Sequence, residues 1–144
     1  MPEESSTPDL VELTRQANEA YGRRDFDAAM SFFAPDAVWD ASQTAFGTYE
    51  GAAAIRSFLE DWIGTFEEHE QEIVESRDLG DGVVFVVVRF HGSPAGSTGR
   101  MHETLSLTLI WEAGVCVRVV ARTDIGQARV AAERLAEARA KADV

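Results

Sequence analysis

An α+β fold, helices first and an antiparallel sheet after, is what the sequence predicts, and three of its features carry that prediction. Apolar residues recur at helical spacing through residues 9–68 and at every second position from Glu70 onward. Gly80-Asp81-Gly82 and Ala113-Gly114 punctuate the second half as hairpin turns. No Pro/Gly/Ser-rich linker and no internal repeat divides the 144 residues, so one domain accounts for them.

The elements follow in order. Residues 1–8 read as a disordered N-terminal tail. A first helix begins at Pro8 or Asp9, with Thr7 capping ahead of Pro8, or Asp9 capping with Glu12 three residues on. Leu10, Leu13 and Ala17, then Ala20 or Tyr21, form its apolar stripe, and Gly22 ends it. Asp25 caps a short second helix with Phe26, Ala29, Met30 and Phe33 on one face, stopped by Pro35. A short strand is expected over residues 37–41, then a loop over residues 47–51. The third helix runs to about residue 68, with Ile55, Phe58 or Leu59, Trp62 and Phe66 on its buried side. Residues 70–79 alternate weakly. Residues 83–91 are β-branched and apolar at nearly every position, as expected of a strand buried on both faces. In residues 102–111, His102, Thr104, Ser106 and Thr108 alternate with Glu103, Leu105, Leu107 and Leu109. A last strand spans residues 115–123, with Cys116 read as a small buried hydrophobe and Asp124 as a helix cap. An Ala/Arg/Glu-rich helix follows over residues 127–141. The expected organisation is thus a tail (1–8), a domain (9–127) and a C-terminal helical tail (128–144).

Composition narrows the function classes. With 25 acids against 13 bases the net charge is −12, which repels phosphate backbones and anionic lipid, so neither nucleic acid nor membrane is an expected partner. No apolar run approaches the ~18 residues a membrane span needs, and the acidic N-terminus is unlike a signal peptide. A cytoplasmic location is expected. A single cysteine and the unrelated spacing of His69, His91 and His102 point to no metal site.

Three stretches resemble one superfamily. Residues 20–39 (AYGRRDFDAAMSFFAPDAVW) look like the first two helices and first strand of the nuclear transport factor 2-like superfamily. Residues 47–58 (GTYEGAAAIRSF) resemble its loop and third helix, and residues 114–124 (GVCVRVVARTD) its terminal strand. The likeness spans residues 9–127 and is greatest to the SnoaL-like polyketide cyclase and steroid isomerase-like branch. It implies a cone-shaped α+β barrel: three N-terminal helices packed on a strongly curved, mostly antiparallel sheet around an apolar cavity, with a C-terminal helix. It implies no cofactor. It also implies polar groups at a few inward positions, and these fall here on Ala17, Ala41 and Ala121. Alanine neither moves a proton nor binds an oxyanion, so no characterised mechanism transfers whole.

The polar residues that remain supply the candidates. With an inward register, Arg89, His91 and Glu103 face the cavity across the 92–99 hairpin. Arg89 and Glu103 then form either a simple cross-strand ion pair or a site in which Arg89 holds an oxygen while Glu103 or His91 relays a proton. Asp40 is a minor catalytic candidate, since alternation turns it away from the face of Ala41. Trp39, Tyr49, Phe58, Trp62, Phe66, Leu105 and Leu107 are core residues that also serve as candidate ligand contacts. The expected partner is a small apolar molecule, turned over by acid–base chemistry or held without catalysis. A homodimer through the Thr/Ser face of the sheet is expected as well.

Overall fold

The computed structural model describes residues 9–142, so the tail expected at residues 1–8 lies outside the described residues. Helix α1 (Leu10–Gly22) starts from Asp9, whose Oδ1 accepts the Glu12 N–H at 3.1 Å and satisfies one open donor of the first turn. Asp25 does the same for α2 (Phe26–Met30), accepting from the Ala28 N–H at 3.1 Å. Helix α3 (Ala52–Gly64) stops at Thr65, whose hydroxyl donates to the Trp62 carbonyl at 2.7 Å. The helix is therefore shorter than its apolar spacing predicts. Phe66 opens a strand instead of extending the helical stripe.

Among the described residues, six strands make one sheet: β1 (Phe33–Gln43), β2 (Thr48–Glu50), β3 (Phe66–Gly80), β4 (Val83–Pro94), β5 (Met101–Glu112) and β6 (Val115–Arg122). Their order is β2-β1-β6-β5-β4-β3, antiparallel throughout except for the parallel β1–β6 pair. Residues 48–50, expected in a loop, pair with β1 as β2. Register shifts in β1 and β3 bend the sheet into the cone, as bulges do by adding local twist. Its concave face carries rows of opposed residues: Gln71–Phe90–Glu103, Ile73–Val88–Leu105, and Val86–Leu107–Ala121. Helices α1 to α3 close over this face, burying Tyr21, Ile55, Leu59 and Ile63 with Phe66 and Phe90.

Part of the convex face is covered too. Asp124 caps α4 (Ile125–Ala142), accepting the Gln127 N–H at 3.0 Å. The helix sets Ala128 and Ala132 against Phe85 and Val87. Its hold on the sheet is reinforced by Arg129, which donates to Glu75 at 3.0 Å and lies 5.0 Å from the Phe85 ring centroid. So the last helix is a packed layer of the domain. Ser106 and Thr108, on the face expected to meet a second subunit, lie opposite Val87 and Phe85 and are themselves buried.

Candidate functional site

The cone encloses an apolar cavity of about 150 Å³. Its aromatic wall comes from α1 (Tyr21), β1 (Trp39), α3 (Phe58, Trp62) and β4 (Phe90), with Phe46 at the β1–β2 connection. Leu105 and Leu107 line it from β5, and Ala41 and Ala121 from β1 and β6. Phe46 is 38% exposed and makes edge contacts with Phe58 and Trp62, each at 5.2 Å between ring centroids, so it forms part of the rim.

Polar groups are few and each has a fixed place. Glu103 projects from β5 into the cavity, half-buried, and its carboxylate makes no hydrogen bond or ion pair with any described residue. Two strands away in the same row, roughly 10 Å between Cα atoms at ordinary strand spacing, stands Gln71. The Asn18 side chain orients it: Gln71 Nε2 donates to Asn18 Oδ1 at 2.8 Å, and Asn18 Nδ2 donates to the Gln71 backbone carbonyl at 3.1 Å. One Gln71 N–H and its Oε1 are left for a ligand. The Tyr21 hydroxyl has no hydrogen-bond partner among the described residues, and burial pushes the phenol above its ordinary value. It therefore stays a proton-bearing donor across the neutral range. Among the described residues, no Lys, Arg or His lines the cavity.

The expected inward trio is thus corrected to one residue. Arg89 stands on the convex face, its side chain 48% exposed and 3.4 Å from Glu72 rather than from Glu103. His91 is on that face as well, its Nδ1 2.6 Å from Nδ1 of His102, the residue directly opposite on β5. The inward row of β4 is Val86, Val88 and Phe90, one position out of phase with the expectation. The reason is the cover provided by α4: because Phe85 and Val87 are buried against it, residues 83–88 are apolar on both faces and show no alternation from which a phase can be read.

Tyr49 and Phe66 are also corrected, since neither lines the cavity. Tyr49 is stacked behind Phe58 at 4.2 Å, and Phe66 packs between Trp62 and Phe90 at 4.9 and 5.0 Å. Cys116 is buried, and burial pushes its thiol up to about 12, far from a reactive thiolate. Among the described residues, no group of three or more His, Cys, Asp or Glu side chains converges. Tyr21, Asn18 and Gln71 escaped the sequence reading. Tyr21 had a usable clue, because it lies one helical turn beyond Ala17 on the same face of α1.

Asp40 lies on the convex side and is structural. Its Oδ1 accepts from the Ser42 N–H at 3.0 Å, the Ser42 hydroxyl at 2.6 Å and the Thr48 hydroxyl at 3.3 Å, while Oδ2 is 3.2 Å from Arg118. The two Ser42 hydrogen bonds above all hold its carboxyl below the ordinary carboxylate value. A carboxyl depressed in the fold stabilises it above the unfolded value of about 3.9, and that contribution vanishes as pH falls through the lower folded value. Asp40→Asn should therefore cost about 1 kcal/mol in urea unfolding at pH 7. The difference from the parent should shrink toward zero near the acid limit of the folded state.

A cone of curved sheet closed by three helices is the architecture of the nuclear transport factor 2-like superfamily. Within it, the chain belongs to the family of SnoaL-like domains, which it matches over residues 14–124. Among solved structures it is similar to a hypothetical protein with a ketosteroid isomerase-like fold from Catenulispora acidiphila in complex with trimethylamine. That likeness has 16% identity and a TM-score of 0.68, covering 81% of this chain and 85% of that one. TerC co-crystallized with polyporic acid aligns over 86% of this chain and 98% of its own at 19% identity and TM-score 0.68. An NTF2-like protein of unknown function from Burkholderia pseudomallei aligns over 84% and 95% at 17% identity and TM-score 0.70. At these identities the structures share the fold. No curated protein matches the chain. No described helix is long and apolar enough to cross a membrane.

Proposed function

We propose that the cone binds a small molecule with an apolar body and that Glu103 exchanges a proton with it. The observation that carries this reading is the unpartnered Glu103 carboxylate, the one acid or base among the cavity-lining side chains apart from the Tyr21 phenol. A carboxylate in apolar surroundings is the ordinary form of a general base, and the donors needed to receive developing negative charge are at hand in Tyr21 and Gln71. In this reading Glu103 accepts a proton from the bound molecule, while the Tyr21 hydroxyl and the free Gln71 N–H hold its oxygen. Trp39, Phe58, Trp62, Leu105 and Leu107 supply the apolar contact, and Arg89, His91 and Asp40 take no part. The cavity volume matches that of engineered apolar cavities that admit benzene, so the enclosed part of the ligand is about one ring in size. Ligands in two proteins of this fold, polyporic acid and trimethylamine, support small-molecule occupancy.

Ala41 and Ala121 favour a second reading, a domain that holds its ligand without turnover, because both line the cavity where catalytic relatives place polar groups. The two readings share a site and differ in product. The purified chain is to be incubated with a small-molecule library, the bound fraction identified by native mass spectrometry, and each bound compound assayed for conversion. Ala121→Leu, which projects three further carbons into the cavity, should lower affinity for a bound compound by roughly 100-fold with the fold intact. Unchanged binding would place the ligand elsewhere. We further place the protein in the cytoplasm. A homodimer through the sheet would have to use the convex rows around Arg89, His91 and His102, since α4 lies over Phe85 and Val87.

A further inference from the structure

We infer that the ligand of the cavity is a cation, a small organic amine in its ammonium form, with its nitrogen against Glu103 and its apolar part among the aromatic rings. The inference rests on the reading above that Glu103 is the polar end of the ligand site.

The first ground is charge balance. The acids Asp40, Glu75, Asp27 and Glu112 each have an arginine within 3.2 Å. Glu103 has none, although it faces a chamber with a mostly apolar lining. A bound cation would give that carboxylate the partner that no described side chain supplies. A neutral carbonyl compound would leave that charge unpaired, and an anion would add a second negative charge with no Lys, Arg or His in the lining to offset it.

The second ground is the wall. Trp39 and Phe58 lie 6.0 Å apart, and Trp62 and Phe90 5.5 Å apart, between ring centroids, and all four line the same cavity as Glu103. Aromatic faces carry negative potential and attract an ammonium within about 6 Å, most strongly when the site is dry and the ring is Trp. Several rings around one carboxylate form a chamber complementary to an alkylated or benzylic ammonium. The net charge of −12 draws cations toward the protein from a distance. The Tyr21 hydroxyl and the Gln71 N–H stay available to an oxygen borne elsewhere on the same amine, as the reading above requires.

The test uses the full chain and three probes of one shape: benzylammonium, benzyl alcohol and benzoate, titrated by calorimetry at neutral pH. Benzylammonium should bind about tenfold or more tightly than benzyl alcohol, with benzoate weakest. This ordering is read on the unaltered protein and needs no variant to fold. Glu103→Gln should then weaken benzylammonium by about tenfold and leave benzyl alcohol within about twofold. Equal binding of ammonium and alcohol, indifferent to Glu103→Gln, would overturn the cation while leaving the cavity as the ligand site. Preferential binding of benzoate would do the same. If none of the three binds and Ala121→Leu alters the binding of no library compound, the cation and the site reading fall together.

Discussion

Glu103→Gln is expected to lower kcat/KM for any substrate converted in the cone by roughly 10²- to 10⁴-fold, the range a positioned general acid or base contributes. Glutamine keeps the size and the hydrogen-bonding reach of the side chain but cannot accept a proton. The Gln71–Phe90–Glu103 row shows why the loss should be specific. No described residue depends on the carboxylate for a hydrogen bond, so removing its charge leaves the Asn18–Gln71 pair and the Tyr21 hydroxyl where they are. Melting temperature should change little. The measurement is turnover of a compound recovered from the library screen, at equal folded protein concentration. Full activity in Glu103→Gln would remove the acid–base role. A compound that binds the parent but is never converted would establish the non-catalytic reading in its place.

Gly82→Ala is expected to cost about 3 kcal/mol of unfolding free energy. Two effects add. Gly82 has φ of +84°, where a Cβ crowds its own backbone, and an added Cβ would come 2.3 Å from the Trp111 carbonyl oxygen. That oxygen belongs to a residue already tied down, because the Trp111 N–H donates to the Gly82 carbonyl at 2.8 Å. Neither partner retreats without breaking the β4–β5 connection. Gly80 provides the comparison: its φ is +92°, but its Cβ would meet nothing within 4 Å. Gly80→Ala should therefore carry only the backbone penalty of about 1 kcal/mol or slightly more. Chemical denaturation of both variants separates conformational strain from collision. Equal losses would refute the role assigned to the Trp111 carbonyl.

Most of the architecture is written in local patterns. Asp9 and Asp25 cap helices as their position ahead of apolar stripes requires, and Gly80-Asp81-Gly82 turns a hairpin with all three residues at positive φ. The inward phase of β5 is readable because polar and apolar residues alternate from His102 to Leu109, and it sets Glu103, Leu105 and Leu107 facing the cavity. Where two layers press on one strand, that information is erased. β4 lies between the cavity and α4, so its buried residues are apolar on both sides, and Arg89 and His91 gave no clue to the phase once the strand left the helix. The ligand site was half legible for a related reason. Tyr21 sits among helical core residues, and Asn18 and Gln71 are 53 positions apart, so only tertiary folding brings them together.

The place of β6 in the sheet has a kinetic consequence. It is the last strand in the chain yet lies between β1 and β5. Phe33 of β1 finds its partner only when Cys116 arrives, and Trp39 waits for Val119. Pairing across such a separation means closing a long loop before any contact rewards it, which slows folding. Residues 10–64 supply three helices and the β1–β2 pair, but the sheet on which those helices pack comes from residues 66–122. The cavity, whose wall includes Trp39 from β1 and Ala121 from β6, is complete only once those two strands have paired.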